Sequence, residues 1–216
     1  MAGKNRATLW IIFVLCMAGG LFLLQQPGDV PPGARRPYPS EVTVKYVADG
    51  DSFGAEEGHK VRLLNIDTPE YGEPLSKQAK ARLEELILGK DVSLAYDREK
   101  KDSHGRLLCH VYVDDVWVNK LLVAEGLAVV YVIKPNLEKM SDLIAVQNAA
   151  RGRKAGIWSL PVPLPEAHYV RSRNSFRFHR PGCKFARGIP ARNLEKLSSR
   201  DEAFGKGLSP CRNCRP

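Results

Sequence analysis

The sequence predicts a mainly β fold with α elements, a small closed barrel of short strands capped by helices. Three observations lead there. Short alternating segments broken by Asp- and Gly-rich turns recur between Glu41 and Val113, helical periodicity interrupts or follows them in three places, and proline-rich stretches set this region apart from both ends of the chain. The 216 residues allow one medium domain plus a small module, with room for a sizeable core.

At the N-terminus, Lys4 and Arg6 precede a run from Ala7 to Leu24, eighteen positions without a charged residue. That is near the length a helix needs to cross a bilayer core. Residues 1–25 are therefore expected to form a transmembrane anchor, with the basic end in the cytoplasm and everything after it outside. Secretion after cleavage of this segment as a signal peptide is the alternative. Cys16, behind Leu15 in mid-run, reads as a membrane-buried apolar residue. Residues 26–40 are rich in Pro and Gly and read as a tether of about fifteen residues.

The folded region is expected over residues 41–160. "EVTVKYVADGDSF" alternates like a strand and breaks at an Asp-Gly turn; "HKVRLLNI", "DVSLAYD" and "LLCHVYV" are further strands, with Cys109 a small buried apolar residue. In "SKQAKARLEELILG" the residues Ala79, Leu83, Leu86 and Ile87 line one helix face, Ser76 is the candidate N-cap and Gly89 the stop. "VNKLLVAEG", closed by Gly126, is a second helix, and a third runs from about Leu137 to Lys154. Prolines at 161, 163 and 165 make residues 161–166 an extended spacer, and residues 167–216 a separate, compact piece.

Charge is unevenly spread. From Ala167 onward there are 12 Lys and Arg against 3 Asp and Glu, a surplus equal to the net charge of +9 for the whole chain. A basic segment is predisposed toward nucleic acid or anionic surfaces. "RSRNSFRFHR" interleaves arginine with phenylalanine, which suits phosphate contact and base stacking, and this piece is expected to dock nucleic acid. A solvated charged surface is the plainer reading.

Within the barrel region, chemically able residues collect in "DGDS" (Asp49 to Ser52), "RLLNIDTPE" (Arg62 to Glu70) and "DREKKDSHGR" (Asp97 to Arg106). Hard divalent cations take oxygen ligands, and Asp51 and Asp67 form the natural pair. Strict alternation puts Arg62, Leu64 and Ile66 on one face and Asp67 on the other, so Arg62 and Asp67 meet only where the strand twists or ends. Pro69, which restricts Thr68 and cannot join a ladder, is expected to supply that end.

These motifs resemble the thermonuclease, or staphylococcal-nuclease-like, family of calcium-dependent phosphodiesterases. "DGDS", "RLLNIDTPE", "DSHGR", "GLAVVYVIKPN" and "GIWS" follow the family's order and similar spacing, from about Val42 to Ser159. The resemblance implies a five-stranded OB-fold barrel with three helices and an active site on its rim. It implies calcium ligation by Asp51, Asp67 and the Thr68 carbonyl, a general base at Glu70, and phosphate-binding arginines at Arg62 and Arg106. Tyr131 and Lys134 match positions lining the nucleotide pocket. His104 and Ser103 replace a tyrosine and a lysine of the founding member, which makes His104 a third substrate-binding candidate. The loop after Glu70 is shorter and Ile133 replaces an aromatic.

The roles agree with elementary chemistry. Phosphodiester cleavage adds charge to phosphate oxygens in the transition state, and fixed cations in a dry pocket stabilise it. Arginine grips phosphate at two points and stays protonated. A metal ion clamps another oxygen and lowers the pKa of bound water, which Glu70 then orients or deprotonates.

Near the C-terminus, His179 and Cys183 are spaced H-x3-C and Cys211 and Cys214 C-x2-C, with 27 residues between the pairs. One histidine and three thiolates match a closed structural zinc site. A Cys211–Cys214 disulfide or free thiols are the alternatives, yet a piece this small with few large apolar side chains needs a staple. It resembles Ada-type metal-binding modules in outline, although those use four cysteines.

The leading expectation is thus a membrane-anchored, extracytoplasmic, calcium-dependent nuclease acting on DNA and/or RNA, with no protein partner. A non-catalytic OB-fold nucleic-acid-binding protein with a zinc module is the alternative, and an anchored zinc module for protein assembly would leave the rim acids unexplained.

Overall fold

The structure, a computed structural model, describes residues 37–162 and 164–216. The expected anchor over 1–25 and most of the tether lie outside the described residues. Among the described residues no helix is long and apolar enough to cross a membrane.

Strands β1 (Glu41–Asp49), β2 (Ser52–Ala55) and β3 (Lys60–Leu63) form an antiparallel meander. After them come β4 (Ile66–Asp67), α1 (Ser76–Ile87), β5 (Asp91–Ala95) and β6 (Leu107–Val113). β5 pairs with β1 and β6 with β5, both antiparallel, while β6 runs parallel to β3. That last ladder closes the ring β1-β2-β3-β6-β5, the mixed five-stranded barrel that the OB-fold requires. β7 (Val116–Trp117) extends β6 and leads into α2 (Val118–Ala124). β8 (Val129–Val130) pairs with β4, and α3 (Met140–Gly152) follows.

The core is continuous from the barrel into these helices. Val44, Phe53, Val61, Leu63, Leu107 and Val111 fill the barrel, and Leu83, Ile87, Leu122 and Leu143 cover it from α1, α2 and α3. Each such side chain contributes about 1.5–3 kcal/mol on burial. Cys109 is fully buried among them. Gly89 and Gly126 end α1 and α2 at positive φ (72° and 69°), a region glycine enters without steric cost.

Three local expectations are corrected. The segment 59–66 is not one strand, because Asn65 sits at φ 62° and splits it into β3 and β4; asparagine tolerates this left-handed conformation. Ser76 is the first helical residue rather than the cap. Leu75 holds the cap position at φ 67° and no side chain caps α1. The third helix begins at Met140, after a turn that includes Leu137.

The C-terminal segment adds β9 (Tyr169–Ser172), β10 (Arg177–His179), α4 (Lys184–Arg187), β11 (Leu194–Leu197), α5 (Arg200–Gly205) and β12 (Ser209–Pro210). Its four strands form one sheet in the order β11-β9-β10-β12. Phe178 and Phe204 pack edge to face at 5.2 Å, and Trp158 of the preceding segment meets Phe204 at 4.8 Å. Val129 joins the same cluster. Gln147 Nε2 of α3 donates to the Phe204 carbonyl at 3.4 Å, and the Val132 N–H donates to Ser209 Oγ at 2.9 Å. Barrel and C-terminal segment belong to one compact unit.

Candidate active site

The break at Asn65 builds the site. Asn65 Nδ2 donates to the Asn136 carbonyl at 2.9 Å, and its Oδ1 accepts from the Ile133 N–H at 3.1 Å, so the turn is pinned from across the fold. The chain reverses face between Leu63 and Ile66, and Asp67 swings to the side that Arg62 occupies. Convergence is set at Asn65, ahead of Asp67, rather than at Pro69.

Arg62 is 4% exposed and spans both carboxylates, Nη1 lying 2.8 Å from Asp51 Oδ2 and Nη2 3.0 Å from Asp67 Oδ1. The same guanidinium donates to the carbonyls of Leu63 at 3.1 Å and Ile66 at 2.8 Å, which fixes its plane. Asp51 Oδ2 also accepts from the Thr68 N–H at 3.0 Å and Thr68 Oγ1 at 3.3 Å, and Asp51 Oδ1 from Ser52 Oγ at 3.0 Å. Gly50 permits this approach: a Cβ there would lie 2.7 Å from Thr68 Oγ1 and 2.8 Å from the Ala79 Cβ. The glycine of "DGD" is thus a steric requirement.

Burial pushes the Asp51 carboxyl up to about 7, against the pull of Arg62, and the charges of Asp49 and Asp67 add to the rise. The donor set of the cluster is all oxygen, and its two carboxylates converge on one cation, the Arg62 guanidinium, so the residue types fit a hard divalent cation. Asp51, Asp67 and the Thr68 carbonyl are the groups that would hold it.

Arg106 borders the cluster from the far side. Its Nε contacts Asp102 Oδ2 at 2.7 Å and its Nη1 donates to Ser52 Oγ at 3.4 Å. Burial raises the Asp102 carboxyl, but the Arg106 guanidinium and amide outweigh it and hold the group below the usual carboxylate range. Asp102 also accepts from the His104 amide at 2.9 Å, so it organises the whole turn.

Not every candidate joins the cluster. Glu70 is exposed on the turn after Pro69, and its side chain makes no hydrogen bond or ion pair among the described residues; its amide donates to Glu73 Oε2 at 2.9 Å. His104 is exposed, and among the described residues its amide, donating to Asp102, is the group seen engaged. Lys134 stands 5.1 Å over the Phe176 ring, toward the C-terminal segment. Tyr131 lies beside the cluster with two cations on its ring, the guanidinium carbon of Arg177 at 3.5 Å and that of Arg212 at 4.4 Å.

Arg212 escaped the sequence reading. It forms an ion pair with Asp67, its Nε donating to Oδ2 at 3.2 Å and its Nη2 to Oδ1. Arg215 pairs with Glu73. The only sequence signal was the position of Arg212 inside "CRNC", which says nothing of its partner 145 residues away.

His179, Cys183, Cys211 and Cys214 meet as a second constellation, with ligand atoms all within 4.8 Å of one another. The three cysteines are free thiols. The buried His179 Nδ1 has no hydrogen-bond partner, the Arg180 amide donates to Cys214 Sγ at 3.4 Å, and burial, with the charge of Arg177 adding, lowers the pKa of the His179 imidazole. A closed set of one imidazole and three sulfurs, with an unpartnered ring nitrogen, fits a tetrahedral zinc ion.

Comparison with known proteins follows from this geometry. The family model for "Staphylococcal nuclease homologue" matches residues 60–160. An uncharacterized protein of Bacillus anthracis is 32% identical over 161 residues, covering 67% of this chain and 75% of that one. Endonuclease YncB of Bacillus subtilis is 36% identical over 129 residues, covering 55% of this chain and 61% of its own length. The thermonuclease of Staphylococcus intermedius is 33% identical over 124 residues, covering 53% of this chain and 74% of its own.

Proposed function

The chain belongs to the staphylococcal nuclease homologue family, and from that premise we propose that it is a calcium-dependent nuclease hydrolysing phosphodiester bonds of DNA and/or RNA. The observation that carries the reading is the buried bridge of Arg62 between Asp51 and Asp67, with Arg106 facing the same cluster across Ser52. Mere nucleic-acid binding needs no convergent buried acids, whose desolvation is costly.

Arg62 serves as countercharge to both carboxylates, and its planar guanidinium would be the fixed cation that faces a phosphate at this cluster. When bound, calcium supplies Lewis-acid polarisation of a phosphate oxygen and a more acidic water. Arg62 and Arg106 stabilise the charge that grows on the other oxygens. Glu70, exposed and able to rotate, orients or deprotonates the attacking water; catalytic hydrogen bonds of this type tighten only when substrate is present. Tyr131, beside the cluster, would offer a ring to a nucleotide, and His104 and Lys134 remain substrate-binding candidates on the family resemblance alone.

The zinc site at His179, Cys183, Cys211 and Cys214 is structural in this reading. The uncharged run from Ala7 to Leu24 behind Lys4 and Arg6 supports a membrane anchor that holds the nuclease outside the cytoplasm.

The test is cleavage of plasmid and single-stranded substrates by the chain from Glu41 onward, with calcium or with a calcium chelator. Arg62→Ala and Glu70→Ala are expected to lower kcat by about 10²–10³. Tight binding without cleavage by the unmodified protein would favour the non-catalytic reading.

A further inference from the structure

The C-terminal segment does more at the site than supply general positive charge. Its C-x2-C turn lies against the acidic cluster, so Arg212, between two of the zinc-site cysteines, reaches Asp67 with both arms of its fork. The guanidinium also covers Tyr131, and Arg177 contacts the same ring while its Nη2 donates to the Val132 carbonyl at 2.8 Å. Arg215 holds Glu73, in the loop just beyond Glu70. The docking is close-packed: a Cβ at Gly207 would lie 2.4 Å from the Ile144 Cδ1 of α3, and Gly207 sits at φ 70°. The metal-site turn is therefore a wall of the active site, with Arg212 aimed at it.

Asp67 cannot keep two guanidiniums and also serve a metal ion. Arg62 is buried with two backbone carbonyls to hold it, whereas the Arg212 side chain is 49% exposed and has Asp67 as its ion-pair partner. When substrate and cation arrive, Arg212 loses its carboxylate and faces the strongest anion nearby, a phosphate of the nucleic acid. A planar fork beside an aromatic ring is suited to that ligand.

We propose that Arg212 is a substrate-binding residue delivered to the nuclease site by the metal-site turn, so that zinc loading of His179, Cys183, Cys211 and Cys214 sets the affinity of the barrel for nucleic acid. This rests on the nuclease reading of the same site. It makes the C-terminal segment part of the active site rather than a remote tether for substrate.

The experiment uses the full chain in detergent in a Glu70→Ala background, so that a short fluorescent single-stranded oligonucleotide is bound and at most slowly cut. Its Kd is measured by anisotropy in calcium, across a salt series, together with zinc content. Arg212→Ala is expected to keep its zinc, raise Kd about tenfold (about 1.4 kcal/mol) and reduce the salt slope by about one, with Arg212→Lys recovering part of the affinity. Cys214→Ser is expected to lose the zinc and raise Kd at least as much. With Glu70 restored, Arg212→Ala should raise KM more than it lowers kcat.

An unchanged Kd in zinc-loaded Arg212→Ala overturns the proposal. So does faster cleavage at a lower calcium requirement, which would mark Arg212 as a plug competing with the cation. If the parent binds the oligonucleotide but never cuts, the nuclease reading fails while the Kd comparison still judges Arg212.

Discussion

The barrel and the C-terminal segment solve the same problem with different physics. The barrel buries a continuous apolar core from Val42 to Leu143, whereas the C-terminal segment has a small aromatic nucleus on Phe178 and Phe204 and a cysteine-lined patch around Cys183 and Cys211. A core of that first kind stabilises by area; a segment of about fifty residues gains too little that way and needs a ligated ion. The candidate active site draws on both, since Arg62 comes from barrel strand β3, Asp51 from the β1–β2 turn, Asp67 from β4 and Arg212 from the C-x2-C turn. Packing holds the barrel side of this cluster, and ion ligation by His179, Cys183, Cys211 and Cys214 is the proposed support of the other side.

If the proposed zinc is bound, its removal is the perturbation that exposes the contrast most. Structural zinc contributes about 10–16 kcal/mol in small modules, more than the whole stability of a typical domain. Chelation, or Cys183→Ala, is expected to abolish hydrogen-exchange protection of β9, β10 and β11 while β1, β5 and β6 stay protected. Full protection of the C-terminal strands after zinc removal would show that Phe178 and Phe204 suffice.

Cavity substitutions probe the same difference at smaller cost. Leu63→Ala in the barrel is expected to lose about 2–5 kcal/mol and Phe204→Ala at the seam about 3–5 kcal/mol, both read by urea unfolding. Leu63→Ala should move the unfolding of both regions. Phe204→Ala with zinc bound should loosen the segment and leave the barrel midpoint in place.

A gentler perturbation is acid. His110 is buried in β6, edge-on to Trp117 at 5.1 Å, with neither ring nitrogen hydrogen-bonded. Burial, and then the charge of Lys139, lower its pKa to about 4, with Asp97 opposing. The unfolded chain takes up the proton first, so barrel stability falls as pH drops from about 6.5 toward 4, by at most about 1.4 kcal/mol per pH unit. His110→Phe should flatten that limb in urea titrations at several pH values; an unchanged slope would place the acid sensitivity elsewhere.

Much of this was legible before any coordinates. Alternation located β1, β3, β5 and β6 but not the short β2, Gly89 and Gly126 marked two helix ends, and the H-x3-C and C-x2-C spacings picked out four residues that meet in space. Other features were misread for identifiable reasons. "VRLLNI" has the apolar content of a single strand, and only the left-handed Asn65, held by Asn136 and Ile133, reveals the break. Ser76 looked like a cap because the strained Leu75 before it has no sequence signature.

By itself, then, the sequence determined the barrel, its catalytic-type motif and the zinc ligand pattern, because periodicity, turn chemistry and short ligand spacings act between near neighbours along the chain. The tertiary structure alone decided that Arg62 bridges Asp51 and Asp67, and that Arg212 and Arg215 close on Asp67 and Glu73. The Arg62 bridge depends on the turn at Asn65, whereas the Arg212 and Arg215 contacts depend on how the C-terminal segment seats against α3 and β8, and charge attraction between residues that far apart in the chain acts only after apolar packing has brought them within a few ångströms.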